Sequence, residues 1–124
     1  MICADTSSFI AYTRGEAQTD VAAIAQALSH RLLVLAPASV TELLSDPRLS
    51  KVWESLITEL PGLEILPGYW VRAGKLRASL FQSNYRPKVA DTLIAQSCLD
   101  HDVPLITRDR DFEGFAKVAG LRLL

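Results

Sequence analysis

Ile2-Cys3-Ala4-Asp5-Thr6-Ser7-Ser8-Phe9-Ile10 begins with three apolar residues, passes through a carboxylate and three hydroxyls, and returns to apolar side chains. A short apolar run stopped by turn-forming residues reads as a buried strand. Asp and Ser ahead of a new apolar stretch suit a helix N-terminus, where their oxygens accept from otherwise free N–H groups. The expectation is strand, polar turn, helix, with the helix carrying Phe9, Ile10 and Tyr12 and stopping near Gly15.

The same grammar repeats outward from this stretch. Val21, Ile24, Ala25 and Leu28 recur at helical spacing after Asp20, up to Ser29-His30. Leu32-Leu33-Val34-Leu35 is a continuous apolar run, as a strand covered on both faces requires. Pro37 suits the first turn of a helix over Ala38 to Ser45 that includes Glu42. Asp46-Pro47 is expected to open another helix, with Leu49, Val52, Trp53, Leu56, Ile57 and Leu60 on one side and a stop at Pro61-Gly62. Leu63 to Leu66 reads as a third strand, and a long helix follows Pro67-Gly68 through Phe81. After a loop at Ser83 to Pro87, Lys88 to Leu99 is expected as a helix with Asp91 in its first turn. Val103 to Thr107 reads as a fourth strand, Phe112 to Ala119 as a short helix, and Leu121 to Leu124 as a last strand. Strands alternating with helices predict an α/β fold: a three-layer α/β/α sandwich around a mainly parallel sheet of about five strands. No linker or repeat divides the chain, so residues 1–124 are expected to form one domain.

Composition narrows the function classes. The chain is 49% hydrophobic and 22% charged, with a net charge of −1. A protein holding nucleic acid by diffuse attraction alone is usually basic, so any such contact here must be local or bridged by metal. Cys3 and Cys98 show no metal-ligand spacing and are too few for a disulfide framework, so both read as reduced core residues, in keeping with a cytoplasmic setting. The opening Met1 to Asp5 lacks a basic stretch before an apolar core, so no secretory signal is expected. No run approaches the ~20 apolar residues that span a bilayer.

In open parallel sheets, ligands collect beyond the carboxyl ends of the strands. Asp5 ends the first expected strand, and Asp109 and Asp111 follow the fourth. Glu42 lies about one turn into the helix after the second strand, and helical side chains lean back toward the N-terminus. Asp91 starts the helix that runs back to the fourth strand. Carboxylates from distant segments thus meet at one rim. Unscreened they would repel and some would stay protonated. A hard divalent ion such as Mg²⁺ or Mn²⁺ resolves that conflict, and the lack of histidine or cysteine among these positions argues against zinc. Each residue also has a plain reading: Asp5 as a helix cap, and Asp91 as a favourable partner of a helix dipole.

The motifs carry a resemblance. Asp5-Thr6-Ser7-Ser8-Phe9-Ile10, Val40-Thr41-Glu42-Leu43-Leu44, Ala90-Asp91-Thr92-Leu93-Ile94-Ala95 and Leu105-Ile106-Thr107-Arg108-Asp109-Arg110-Asp111-Phe112, in that order, resemble the four motifs of PIN-domain nucleases. Their spacing is similar to that of the VapC-like toxins of bacterial toxin–antitoxin pairs, across essentially the whole chain. The resemblance implies a PIN fold over residues 1–124, RNA hydrolysis with Mg²⁺ or Mn²⁺, a homodimer, and inhibition by a small antitoxin protein. It implies Asp5, Glu42, Asp91 and Asp109 as catalytic metal ligands, with Asp111 at a variable position. Ser7 would orient the acidic cluster, and Thr107 would do likewise or touch substrate. Gln96-Ser97-Cys98 departs from the small residues usual after the third motif.

Arg14, Arg86, Lys88, Arg108 and Arg110 fall in loops or helix starts near the rim and are candidates for RNA phosphate contacts, with solvated surface charge as the plain alternative. Tyr69, Trp70 and Tyr85 are candidates to stack on bases. For Trp53, Tyr69 and Trp70 a core or interface role is favoured. The helices at 46–60 and 68–83 are expected to offer an apolar groove to an antitoxin helix. His30 and His101 read as surface residues. A phosphoacceptor receiver would need an aspartate where the third strand ends Ile65-Leu66-Pro67-Gly68. A dinucleotide enzyme would want a glycine-rich first turn, and a haloacid-dehalogenase-like phosphatase an aspartate where Ser7 stands. A non-catalytic PIN-like module that binds RNA or protein stays open beside the enzyme.

Overall fold

The computed structural model describes all residues from Met1 to Leu124. Strand β1 (Ile2–Ala4) lies at the centre of a parallel sheet, between β2 (Leu33–Val34) and β3 (Leu105–Ile106). Cys3 is opposite both Val34 and Leu105, which fixes the register. The helices are α1 (Thr6–Thr13), α2 (Thr19–Ser29), α3 (Pro37–Leu44), α4 (Lys51–Glu59), α5 (Tyr69–Gln82), α6 (Val89–His101) and α7 (Glu113–Ala119), with a 3₁₀ turn at Arg110–Phe112.

Strand alternation divides the core between two faces. Ala4, Leu33, Leu35 and Ile106 join Phe9 of α1, Ile24 and Ala27 of α2, Leu43 of α3 and Ile57 of α4. Cys3, Val34 and Leu105 join Leu76 and Leu80 of α5, Ile94 and Cys98 of α6, and Phe115 of α7. Successive side chains on a strand point to opposite faces, so three short strands feed both layers. Both thiols are buried and unbridged.

The sandwich is as expected, but the sheet is narrower. The run from Leu63 to Leu66 is not a strand. Gly62 makes one parallel bridge to Leu35, and Leu63 N–H donates to Leu35 C=O at 2.9 Å. Beyond it the Glu64 carbonyl is engaged by His101 Nε2 at 2.8 Å and Leu66 C=O accepts from Tyr69 N–H, so the ladder stops. Leu121 to Leu124 likewise contributes a single parallel bridge, Leu123 to Leu105. Both segments run where outer strands would run, without continuing the ladder.

Asp46-Pro47 does not open a helix. Asp46 Oδ1 accepts from Arg48 N–H at 2.9 Å, which closes a local turn instead. The helix starts after Ser50, whose hydroxyl caps Trp53 N–H. α4 packs on α3 while α5 packs on α6 and α7, so the apolar groove beside α5 is shared with α3 and α6. Tyr69 is buried, its hydroxyl donating to Leu93 C=O at 2.7 Å. Trp70 instead stands 65% exposed, so it is not a core residue. Trp53 is half-buried and packs edge-on against Tyr12. No helix is long and apolar enough to cross a membrane.

Candidate active site

Parallel strands with return helices bring four segments to the carboxyl edge of the sheet. Asp5 follows β1 directly and is the N-cap position of α1. Glu42 is on α3, which follows β2, and Asp91 is in the first turn of α6. Asp109 and Asp111 lie on the turn after β3, where Asp109 Oδ1 accepts from Asp111 N–H at 2.9 Å.

Asp5 is 3% exposed. Its Oδ2 accepts from Ser7 Oγ at 2.6 Å and from Thr107 Oγ1 at 2.9 Å. Burial pushes the Asp5 carboxyl above its ordinary value, while these two hydroxyls pull it back. The Thr107 oxygen also accepts from Asp109 N–H at 3.0 Å. One hydroxyl thereby ties the end of β1 to the turn that carries Asp109. Glu42 is exposed and accepts from Thr6 Oγ1 at 2.7 Å.

Asp91 is the most perturbed carboxyl of the group. Burial first, and then the charges of Asp5, Asp109 and Glu42, raise it to about 6 against the pull of Lys88. Four acidic side chains therefore share one electrostatic field. Asp91 Oδ2 is buried and has no hydrogen-bond partner. Oxygens of Asp91, Asp109 and Asp111 all lie within 4.8 Å of one another.

This set fits a hard divalent cation. The donors are all carboxylate oxygens, they converge, and a buried one lacks a partner that a cation would supply. The grouping differs from the sequence expectation in emphasis. Asp111, at a position treated as variable, stands inside the tight trio. Asp5 and Glu42 stand outside it and act on Asp91 through their charge.

The basic candidates scatter. Arg108 does not offer its guanidinium to the rim. Its Nε donates to Asp20 at 2.8 Å and its Nη1 to Glu16 at 2.9 Å. Ser8 Oγ donates to the same Asp20 at 2.8 Å, so α1, α2 and the turn after β3 are tied together behind the carboxylates. Lys88 caps α6 beside Asp91, and Arg14 is the C-cap residue of α1, at the opposite end of that helix from Asp5. Arg86 and Arg110 line a common cleft with Asp111. Sequence reasoning missed Thr6, Ser8, Glu16 and Asp20 in these networks. None of them repeats with a period or sits in a metal-ligand spacing.

An apolar groove of about 490 Å³ runs between α3, α5 and α6, with Ile65, Trp70, Val89 and Leu93 along it and Glu42 at its margin.

The PIN domain family model matches residues 2–120. Several solved structures share the fold, among them the following two. The crystal structure of FitAcB from Neisseria gonorrhoeae is 18% identical, with a TM-score of 0.70 over 100% of this chain and 96% of that one. The structure of FitAB bound to an IR36 DNA fragment is 18% identical, with a TM-score of 0.71 over 100% of this chain and 94% of that one. At such identity the likeness is one of fold. No curated protein matches the sequence.

Proposed function

The chain belongs to the PIN domain family, and from that premise we propose that residues 1–124 form a single-domain, metal-dependent endoribonuclease, the toxin of a toxin–antitoxin pair. The observation that carries this reading is a buried, unpartnered Asp91 oxygen on a carboxylate grouped within 4.8 Å of those of Asp109 and Asp111. A scaffold gains nothing from an arrangement that holds a carboxyl up at about 6, whereas a cation site gains a ligand already stripped of water.

In this reading Asp91, Asp109 and Asp111 hold Mg²⁺ or Mn²⁺, with Asp5 and Glu42 completing the negative field around it. The ion, when bound, lowers the pKa of an attacking water and stabilises charge on the phosphodiester. The chain's own residues do the rest. Ser7 and Thr107 fix the rotamer of Asp5 by donating to one oxygen, and Thr6 holds Glu42 toward the rim. Asp5 and Glu42 would take up the proton released by a water at the rim. We place an antitoxin segment in the apolar groove beside Glu42, a homodimer as the assembled toxin, and the cytoplasm as its setting.

Purified protein should cut single-stranded RNA with Mg²⁺ or Mn²⁺ and leave a 5′-phosphate. Asp5→Asn should abolish cutting and keep the fold by circular dichroism. Unchanged cutting by that variant, or in excess chelator, defeats the proposal. Mn²⁺ should also raise the melting temperature, since an ion bound only by the folded state stabilises it. A non-catalytic module with no cation site would melt unchanged.

A further inference from the structure

A polar cleft of about 260 Å³ opens next to the acidic trio, between the 83–87 loop, the 3₁₀ turn and α7. Arg86, Arg110 and Lys117 line it from three different segments, together with Asp111, Glu113 and Tyr85. None of these three cations takes part in an ion pair, although the chain pairs Arg72, Arg108 and Arg122 with carboxylates elsewhere. Arg86 is held in place: its Nη1 donates to Tyr85 C=O at 2.8 Å, and its guanidinium lies 5.6 Å from the Phe81 ring centroid. The floor is tight as well. A Cβ on Gly114 would stand 2.9 Å from the Tyr85 ring, so the absent side chain is what lets that ring close the cleft.

We propose that this cleft is a subsite for a backbone phosphate of the single RNA strand whose neighbouring phosphodiester lies at the carboxylate trio. The inference rests on the nuclease reading above. The chemistry favours a phosphate over a peptide carboxylate. Arginine guanidinium groups present forked donors that match phosphate oxygens, and a lysine adds a point charge. Asp111 belongs both to the cleft and to the trio, so an anion seated here shares a wall with the carboxylates. The near-neutral chain, at −1 overall, has no diffuse pull on RNA, which makes a local cluster of unpaired cations the place where the strand is gripped.

The test uses a fluorescein-labelled single-stranded RNA and anisotropy in EDTA, where no cutting occurs. The triple variant Arg86→Gln/Arg110→Gln/Lys117→Gln should bind about tenfold more weakly at about 50 mM KCl, and the slope of log K against log salt should fall by about 0.7, the share of one lost phosphate contact on a single strand. Arg31→Gln/Arg48→Gln/Lys51→Gln, with the same charge loss outside the cleft, should bind as the parent does. With Mg²⁺ the cleft variant should show a raised KM and a kept kcat. Equal losses in both variants, or an unchanged slope in the first, overturn the proposal. So does polyglutamate competing as well as RNA at matched ionic strength, which would assign the cleft to an acidic protein segment. Loss of Mn²⁺-dependent stabilisation in the unmutated protein would sink the metal reading, while the EDTA binding result would stand or fall separately.

Discussion

Replacing Asp91 by asparagine should stabilise the metal-free protein and abolish its response to metal. An acid whose folded pKa is raised binds its proton more tightly folded than unfolded, so its ionisation costs stability as pH climbs from 3.8 to about 6. At 1.36 kcal/mol per pH unit the ceiling is about 3 kcal/mol. Asp91 is half-buried, and solvent screening reduces that to about 1–2 kcal/mol. Asparagine is nearly isosteric, carries no charge, and faces Asp5 and Asp109 with an N–H donor in place of a like charge. In EDTA at about pH 7.5 the variant should therefore melt about 3–10 °C higher, given how melting temperature scales with stability for a domain of this size. At about pH 4 both proteins have the group largely neutral and the gap should close. Mn²⁺ should raise the parent's melting temperature and leave the variant's almost unmoved. Urea titrations in EDTA at both pH values, repeated with Mn²⁺, measure each of these effects. A variant less stable than the parent at neutral pH in EDTA, or one that Mn²⁺ stabilises as strongly, would refute the reasoning.

Three further outcomes follow from the networks around the trio. Thr107→Val removes the donor to Asp5 and the acceptor of Asp109 N–H, at a cost of about 2–3 kcal/mol in denaturant titration, and should weaken Mn²⁺ binding because Asp5 then titrates higher still. Arg108→Gln frees Asp20, which the guanidinium holds below its ordinary value. A depressed carboxyl contributes stability at neutral pH and loses it as pH falls through its folded value, so the variant should melt lower than the parent at neutral pH and match it in strong acid. Gly114→Ala should destabilise by about 1–3 kcal/mol despite the better helix former, because the new methyl meets the Tyr85 ring at 2.9 Å. A neutral result would mean the ring moves freely.

The carboxylate rim was largely legible in the chain, because Asp5, Asp91 and Asp109 sit where a strand ends or a helix begins, and those boundaries are written locally. The aromatic and basic positions were less so. Trp70 shares its helix with buried Tyr69, and only the packing of α5 on α6 decides which of two adjacent rings faces out. Arg108 flanks Asp109 in sequence yet turns to Asp20 and Glu16 on the neighbouring helices. Nothing in an arginine's own position says which of two carboxylate groups will hold it.

The sequence alone determined the helices, the three inner strands of the sheet, and the edge at which the acids collect. Those properties depend on residues within a turn or a strand of one another, where periodicity fixes direction. The tertiary structure alone decided that Asp111 joins Asp91 and Asp109, that Asp5 is held by two hydroxyls, and that the outer segments make one bridge each. Such distances join side chains up to about a hundred positions apart, as in Thr107 and Asp5. They depend on how the layers settle against each other, and a one-dimensional pattern carries no measure of that.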